Sequence, residues 1–204
     1  MNSLGSIQSI NNKIITTVVS TVVTVLNNGF QTPMVATNTF TNPYDFNSGN
    51  ASTPFSYNNW LFTCNYVSGS TVGIYQEDGT TPSGLSQLST TYPQCLQLAF
   101  SICNASLTIS QSVYFPTSGT YQLSYYLAPF VGYYGSSLTI SSAIGSQSSS
   151  AFTLNPTSGW VNYTNNFTIS SSGYQTLAFV FHCSDSSNTY ALFFTGITIT
   201  YLHA

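Results

Sequence analysis

Charge is almost missing from this chain. Of its 204 residues one, Lys13, is basic and four, Asp45, Glu77, Asp78 and Asp185, are acidic, so charged side chains make up 2%, against about 25% in an ordinary soluble domain. With no arginine and a single lysine there is no basic surface to neutralise phosphates. Nucleic acid is thereby excluded as a partner, and so is electrostatic docking on anionic membranes. Four carboxylates, two of them adjacent, leave little material for acid–base chemistry or for an oxygen cage around a hard cation. No run approaches the roughly 20 consecutive apolar residues of a membrane span, so no membrane insertion is expected. Solubility rests instead on hydroxyls and amides, since about three residues in ten are Ser or Thr. Such a surface suits a protein exposed on an extracellular surface or a virion that meets neutral, hydrogen-bonding partners.

Further absences narrow the chemistry. Cys64, Cys95, Cys103 and Cys183 contain no Cys-x-x-Cys pair, and His182 beside Cys183 is the one His–Cys neighbour, so a tetrahedral zinc site is not expected. Buried free thiols are the expected state and disulfides, in any of three pairings, the alternative. There is no Gly-x-Ser-x-Gly elbow. His182, Asp185 and one of many serines form a nominal triad that chance alone supplies in so serine-rich a chain. Glu77 and Asp78 precede Gly79 in a turn, whereas a glycosidase pair must face each other across about 5–9.5 Å. No enzyme, cofactor or metal is therefore expected. Met1 is not followed by the basic stretch and apolar core of a secretory signal. That points to a fragment of something longer or to another route outside, such as assembly into a virion.

What is present is apolar area. Hydrophobic residues are 42% and aromatics 15%, with 15 Tyr and 14 Phe, too much to leave solvated in a disordered tract. The chain divides near residue 27. On a helical wheel, Ile14, Ile15, Val18, Val19, Val22, Val23, Val25 and Leu26 fall within one half-turn, opposite Lys13, Thr16, Thr17, Ser20, Thr21 and Thr24. Ile15, Val19, Val22 and Leu26 follow the spacing of a coiled-coil seam, and β-branched residues there favour trimers. Residues 1–26 are thus expected to be a stem or oligomerisation segment that builds a homotrimer. A strand, which β-branched propensity favours, is the alternative.

Residues 27–204 read as β throughout. Runs at Trp60–Val67, Val72–Gln76, Gln94–Phe100, Leu107–Phe115, Tyr121–Ala128, Ser137–Ile144, Trp160–Ile169, Tyr174–Cys183 and Ala191–Leu202 are separated by turn signals such as Pro116–Gly119 and Ser170–Gly173. About nine alternating strands predict an all-β fold, an antiparallel β-sandwich of jelly-roll type. Leu123, Ile109, Leu138, Phe179, Ile197 and Trp160 are expected in its core, and the Ser/Gln-rich Gly145–Ser150 is expected to be a loop tip.

The order of landmarks in this body carries a resemblance. Asn28-Gly29-Phe30-Gln31-Thr32-Pro33 is followed by Asn59-Trp60, Cys95-Leu96-Gln97-Leu98, Ile109-Ser110-Gln111-Ser112-Val113 and Gly119-Thr120-Tyr121-Gln122-Leu123. Gly159-Trp160-Val161-Asn162-Tyr163 with Phe167 and a closing Gly196-Ile197-Thr198-Ile199 complete the series. Over residues 27–202 this is similar to the galactose-binding-like jelly rolls of carbohydrate-binding modules and plant cell-wall proteins. The resemblance implies the fold and, as a partner, a glycan. It also marks two acidic positions that help hold a structural calcium in that family, and here they are Gln31 and the Thr195-Gly196 step, so no metal is implied. Ser9-Ile10-Asn11-Asn12-Lys13-Ile14, leading into the Val/Thr run, resembles shaft segments that precede globular heads in viral fibres.

Sugar recognition needs an aromatic face for the apolar side of a ring and amides or hydroxyls for its polar groups. The richest cluster is Tyr125 and Tyr126 followed by the loop carrying Phe130, Tyr133 and Tyr134. A second candidate is Asn58 and Asn59 beside Tyr57. Tyr133, Tyr134, Phe130, Tyr126, Asn58 and Asn59 are therefore the expected ligand-binding residues, with contact to a neighbouring subunit as the competing use of the tyrosines. The expected function is a non-enzymatic structural and recognition module, the head of a virion or surface fibre contacting glycans or a host-surface receptor. The alternatives are a purely structural capsid or filament subunit and, third, a carbohydrate-active hydrolase.

Overall fold

The computed structural model describes residues 22–30, 40–45, 54–64, 71–76, 88–100, 105–130, 138–154, 159–184 and 190–204. Apolar residues at every second position convert into strands with one face in and one face out. In chain order these are β1 (Val22–Val23), β2 (Phe40–Asp45), β3 (Phe55–Tyr57), β4 (Trp60–Cys64), β5 (Thr71–Gln76), β6 (Gln94–Phe100) and β7 (Ala105–Phe115). They continue with β8 (Gly119–Pro129), β9 (Leu138–Ile144), β10 (Gln147–Ser148), β11 (Phe152–Thr153), β12 (Val161–Ile169), β13 (Gly173–Cys183) and β14 (Tyr190–His203). The first sheet has the order β12-β8-β14-β6-β5-β2, with β1 also on β14; the second has the order β10-β9-β13-β7-β4-β3, with β11 also on β9. From β6 to β9, and again from β12 to β14, successive strands alternate between the sheets. The turn at Pro116–Ser118 therefore crosses the sandwich instead of closing a hairpin, and most pairings join distant segments. This is the expected antiparallel jelly-roll sandwich. The Gly145–Ser150 stretch is a tight turn whose β10 folds back on β9 at Gln147↔Ile144.

The core between the sheets is aromatic. Phe179 and Phe194, one from each sheet, meet at 4.7 Å between ring centroids. Tyr125 packs on Phe179 at 5.0 Å, Trp60 on Phe179 at 6.3 Å and Phe30 on both Trp60 and Phe194 at 5.7 Å. Leu123, Ile109, Leu138, Phe179 and Ile197 are buried as expected. Trp160 is not between the sheets. It is half-buried on the outer face of the first sheet, where with Phe130 it covers Cys95, Ala128 and Phe193. Cys95 and Cys183 are buried; the side chain of Cys64 and the whole of Cys103 lie outside the described residues.

The turn Asn27–Phe30 staples one end of the sandwich. Asn27 and Phe30 adopt φ of 49° and 54°, a conformation uncommon for a bulky residue that persists only when surroundings hold it. They do so from both sheets. The Trp60 indole donates to the Asn27 carbonyl at 3.3 Å, the Ile197 amide donates to the Asn28 carbonyl at 3.0 Å and the Gln94 side chain donates to the Phe30 carbonyl at 2.8 Å.

The helical seam expected through Val22 and Leu26 is corrected here. Val22 and Val23 pair with Thr200 and Ile199 of β14, and the stretch alternates, with Val23 and Val25 buried at 3% and 7% exposure while Val22 and Leu26 stand out at 66% and 50%. Extended backbone wins because β14 runs past the end of β6 and offers an open edge to β-branched residues. The body thus includes residues 22–26, whereas Ile15, Val19 and the rest of residues 1–21 lie outside the described residues.

Gln111 anchors that entering strand. Its side chain accepts from the Leu26 amide at 2.8 Å and donates to the carbonyls of Leu26 and Asn59, both at 3.0 Å. Gln111→Leu is expected to cost about 2 kcal/mol, because several backbone groups lose a partner at once. Urea denaturation checks this; a change under about 0.5 kcal/mol would show that water replaces the amide freely.

Candidate ligand-binding site

The expected binding residues do not form one cluster. Tyr133 and Tyr134 lie outside the described residues. Phe130 turns its ring onto Phe193 at 5.6 Å, so it closes an apolar patch of its own protein instead of offering a face to a ligand. Tyr126 is half-buried on the outer face of the first sheet. Its hydroxyl lies 3.5 Å from the Asn162 amide nitrogen, whose carbonyl accepts from Ser124 at 2.7 Å. A Cβ on Gly196 would come within 2.9 Å of the Tyr126 ring, which is why the bulge in β14 uses glycine there. Asn58 and Asn59 belong to the other sheet. With φ of 48° and 72° they make the two-residue turn joining β3 to β4, a conformation that asparagine tolerates well. The Asn27 side-chain amide donates to the Asn58 carbonyl at 3.4 Å.

Asn59 nevertheless borders a cleft. β4 stops pairing with β7 at Leu61↔Ser110, while β7 runs on to Phe115, and this leaves a step between the β3–β4 turn and the outer face of the second sheet. The cleft there has a volume of about 360 Å³ and is lined by Ser56, Asn59, Trp60, Leu61, Ser110, Gln111, Ser112 and Thr176. That is at the small end of the roughly 300–1,000 Å³ of ligand pockets. Its polar groups are hydroxyls and amides, and the exposed Leu61 supplies apolar wall.

Beside the cleft stand two tyrosines that sequence reasoning missed. Tyr114 on β7 is directly opposite Tyr174 on β13, and their rings meet edge-on at 5.2 Å and 61°. Both stay open to solvent, at 52% and 73% exposure. The next cross-strand pair on that face is Ser112 with Thr176, in the cleft wall, and same-face residues are about 7 Å apart along a strand. The platform and the cleft are therefore contiguous. The signal was present in part: Tyr114 alternates with the buried Val113 and Phe115, which sends it outward. Its partner sits far along the chain, and only strand register brings Tyr174 to it.

His182 is on the same outer face, exposed next to the buried Phe181, and opposes Ser106 and Thr139; Asp185, Glu77 and Asp78 lie outside the described residues. Among the described residues no group of three or more His, Cys, Asp or Glu comes together as a metal site would require. No helix among them is long and apolar enough to cross a membrane.

No protein-family model matches the chain, and no curated protein matches it. Solved structures do. A family 61 carbohydrate-binding module, solved in complex with β-1,4-galactotriose, superposes with a TM-score of 0.51 at 9% identity, over 79% of this chain and 99% of that one. The enzymatically active domain of bacteriophage CBA120 tailspike protein 4 gives a TM-score of 0.49 at 12% identity, over 79% of this chain and 21% of that one. A carbohydrate-binding module from the β-sandwich superfamily gives 0.43 at 10% identity, over 79% of this chain and 62% of that one. At these identities the likeness is one of architecture: the chain has the jelly-roll sandwich fold seen in carbohydrate-binding modules.

Proposed function

We propose that this protein is a non-enzymatic recognition module that binds a neutral glycan across the outer face of its second sheet. The observation that carries this is the exposed Tyr114–Tyr174 pair lying beside a cleft of hydroxyls and amides. An aromatic ring covers the apolar face of a pyranose while neighbouring polar groups take its hydroxyls, and a surroundings without charge suits a sugar without charge. In this reading Asn59 borders the bound sugar, while Phe130 and Tyr126 lie on the outer face of the first sheet. An extracellular or virion surface, with the module as the head of a fibre, is the setting that fits its composition. The three-fold helical stem is not carried forward, because of its four seam residues Val22 pairs with β14 as a strand and Leu26 lies in the turn that follows, both with exposed side chains.

Screening against immobilised neutral glycans followed by titration calorimetry tests the reading. Tyr174→Ala is expected to weaken binding about tenfold, or about 1.4 kcal/mol, with Tyr114→Ala doing less because its ring is the more buried of the two. If affinity is lost instead with Tyr133→Ala and Tyr134→Ala, the ligand sits on the loop after β8. Failure to bind any neutral sugar would leave the purely structural subunit as the better description. Turnover of glycosides or sugar esters that disappears with His182→Ala would make the protein a hydrolase.

A further inference from the structure

The sheet edges described here are unequal. In the first sheet, β2 contains Pro43, which has no N–H to donate, and Asp45, and its register with β5 shifts between Thr41 and Tyr44. In the second sheet, β3 is three residues long and β10 and β11 are two each. These are the devices that keep an edge from recruiting another strand. β12 has none of them. It runs nine residues, Val-Asn-Tyr-Thr-Asn-Asn-Phe-Thr-Ile, with no charge, proline or glycine, in unbroken register with β8.

One part of this edge is closed by the protein itself, and the closure shows which way the backbone points. The Gln147 side chain donates to the Thr168 carbonyl at 2.7 Å and accepts from the Thr168 amide at 3.0 Å, so a side-chain amide occupies the place of a neighbouring strand. Thr168 thus directs its backbone groups away from β8. By the alternation of an antiparallel ladder, Asn162, Thr164 and Asn166 do the same. All three are exposed, and no side chain or backbone group among the described residues bonds to their main chain.

We propose that this open window is a self-association edge, through which two copies pair antiparallel about Thr164 and join their first sheets across a two-fold axis. A second copy is the occupant that the residues favour, because the window is self-complementary. With Thr164 on the axis, Thr164 faces its own counterpart and Asn162 faces Asn166 in both directions, each pair exchanging two backbone hydrogen bonds. Threonine pairs and amide pairs are favourable cross-strand neighbours. A strand without charged residues brings no like-charge repulsion to the contact, and a two-fold interface of this kind closes on itself. The Gln147 clamp limits the pairing to a short stretch, which keeps it a dimer contact instead of a seed for longer sheets. This inference does not rest on glycan binding.

Asn162 and Asn166 each begin an Asn-x-Thr sequon, and a glycan on either would cap the edge, so the test uses protein made in a bacterial host. Analytical ultracentrifugation of the full chain up to about 100 µM is expected to give a species of twice the chain mass. Thr164→Lys, which puts a charge on the axis while leaving every β8–β12 bond in place, is expected to give a monomer with unchanged circular dichroism and melting temperature. Ser172→Lys, the same charge on a turn away from the edge, is expected to leave the dimer intact. A wild-type monomer at all concentrations overturns the proposal. So does a dimer that survives Thr164→Lys, an open-ended polymer, or dissociation by both lysine variants alike.

Discussion

Trp60→Ala is expected to remove about 4 kcal/mol of stability, within the range of about 3–5 kcal/mol for losing a buried tryptophan and a large share of the roughly 5–15 kcal/mol that holds a domain folded. Trp60 is 1% exposed and touches Phe30 and Phe179, so its removal opens a cavity between the sheets at their aromatic centre. It also deprives the Asn27 carbonyl of its indole donor. That carbonyl accepts from Phe30 as well, in a turn whose positive-φ Phe30 depends on being held from both sheets. Trp60→Phe retains most of the volume but not the donor, and is expected to lose about half as much. Urea denaturation separates the two contributions. A loss below about 1 kcal/mol for the alanine variant would mean that Phe30 and Phe179 collapse into the space and that the staple does not depend on Trp60.

The second large effect is loss of stability in alkali. Tyr125 is fully buried, and burial pushes its phenol up from 10.0 to about 12, only partly offset by hydrogen bonds with Ser142 and Asn165. Tyr163, stacked on Tyr125 at 6.0 Å, is raised in the same direction by burial. Below pH 10 these phenols are neutral in both folded and unfolded chains, and their burial costs nothing in protonation. Between about 10 and 12 the unfolded chain ionises while folded Tyr125 stays neutral. The folded state then binds more protons, and stability falls as pH rises, for Tyr125 by up to about 3 kcal/mol. Stability measured in urea from pH 8 to 12 is expected to be level and then to fall. Tyr125→Phe should start lower, having lost its bonds to Ser142 and Asn165, and fall less steeply. Parallel curves for the two proteins would show that general repulsion among many tyrosinates is the cause.

Much of this molecule was legible in its residue order. Nine strands appear close to where alternation and turn residues put them, because a half-buried strand repeats every two residues and that period is local. The argument against phosphate partners follows from the near-absence of basic groups and needs no geometry. The segment before residue 27 was harder. Val22, Val23, Val25 and Leu26 satisfy a helical stripe and an alternating strand about equally, and what separates them is whether an edge is available to pair with. That edge is β14, which lies at the other end of the chain.

The candidate site shows the same division. Asn59 could be singled out as a turn residue beside an aromatic, but its place in a cleft depends on where β4 stops along β7. Phe130 read as an exposed loop aromatic and is half-buried, because the outer face of the first sheet has an apolar patch that needed a cover. Tyr114 and Tyr174 belong to different segments with ordinary local patterns. The sequence by itself determined an all-β, nearly uncharged chain with its apolar residues on one face of each strand, since composition and period are properties of neighbours. Tertiary structure alone decided which strands lie side by side, which aromatics pair on a surface and which edge stays open. Successive strands from β6 to β9 and from β12 to β14 cross between sheets, so most of those contacts join parts of the chain that no local pattern relates.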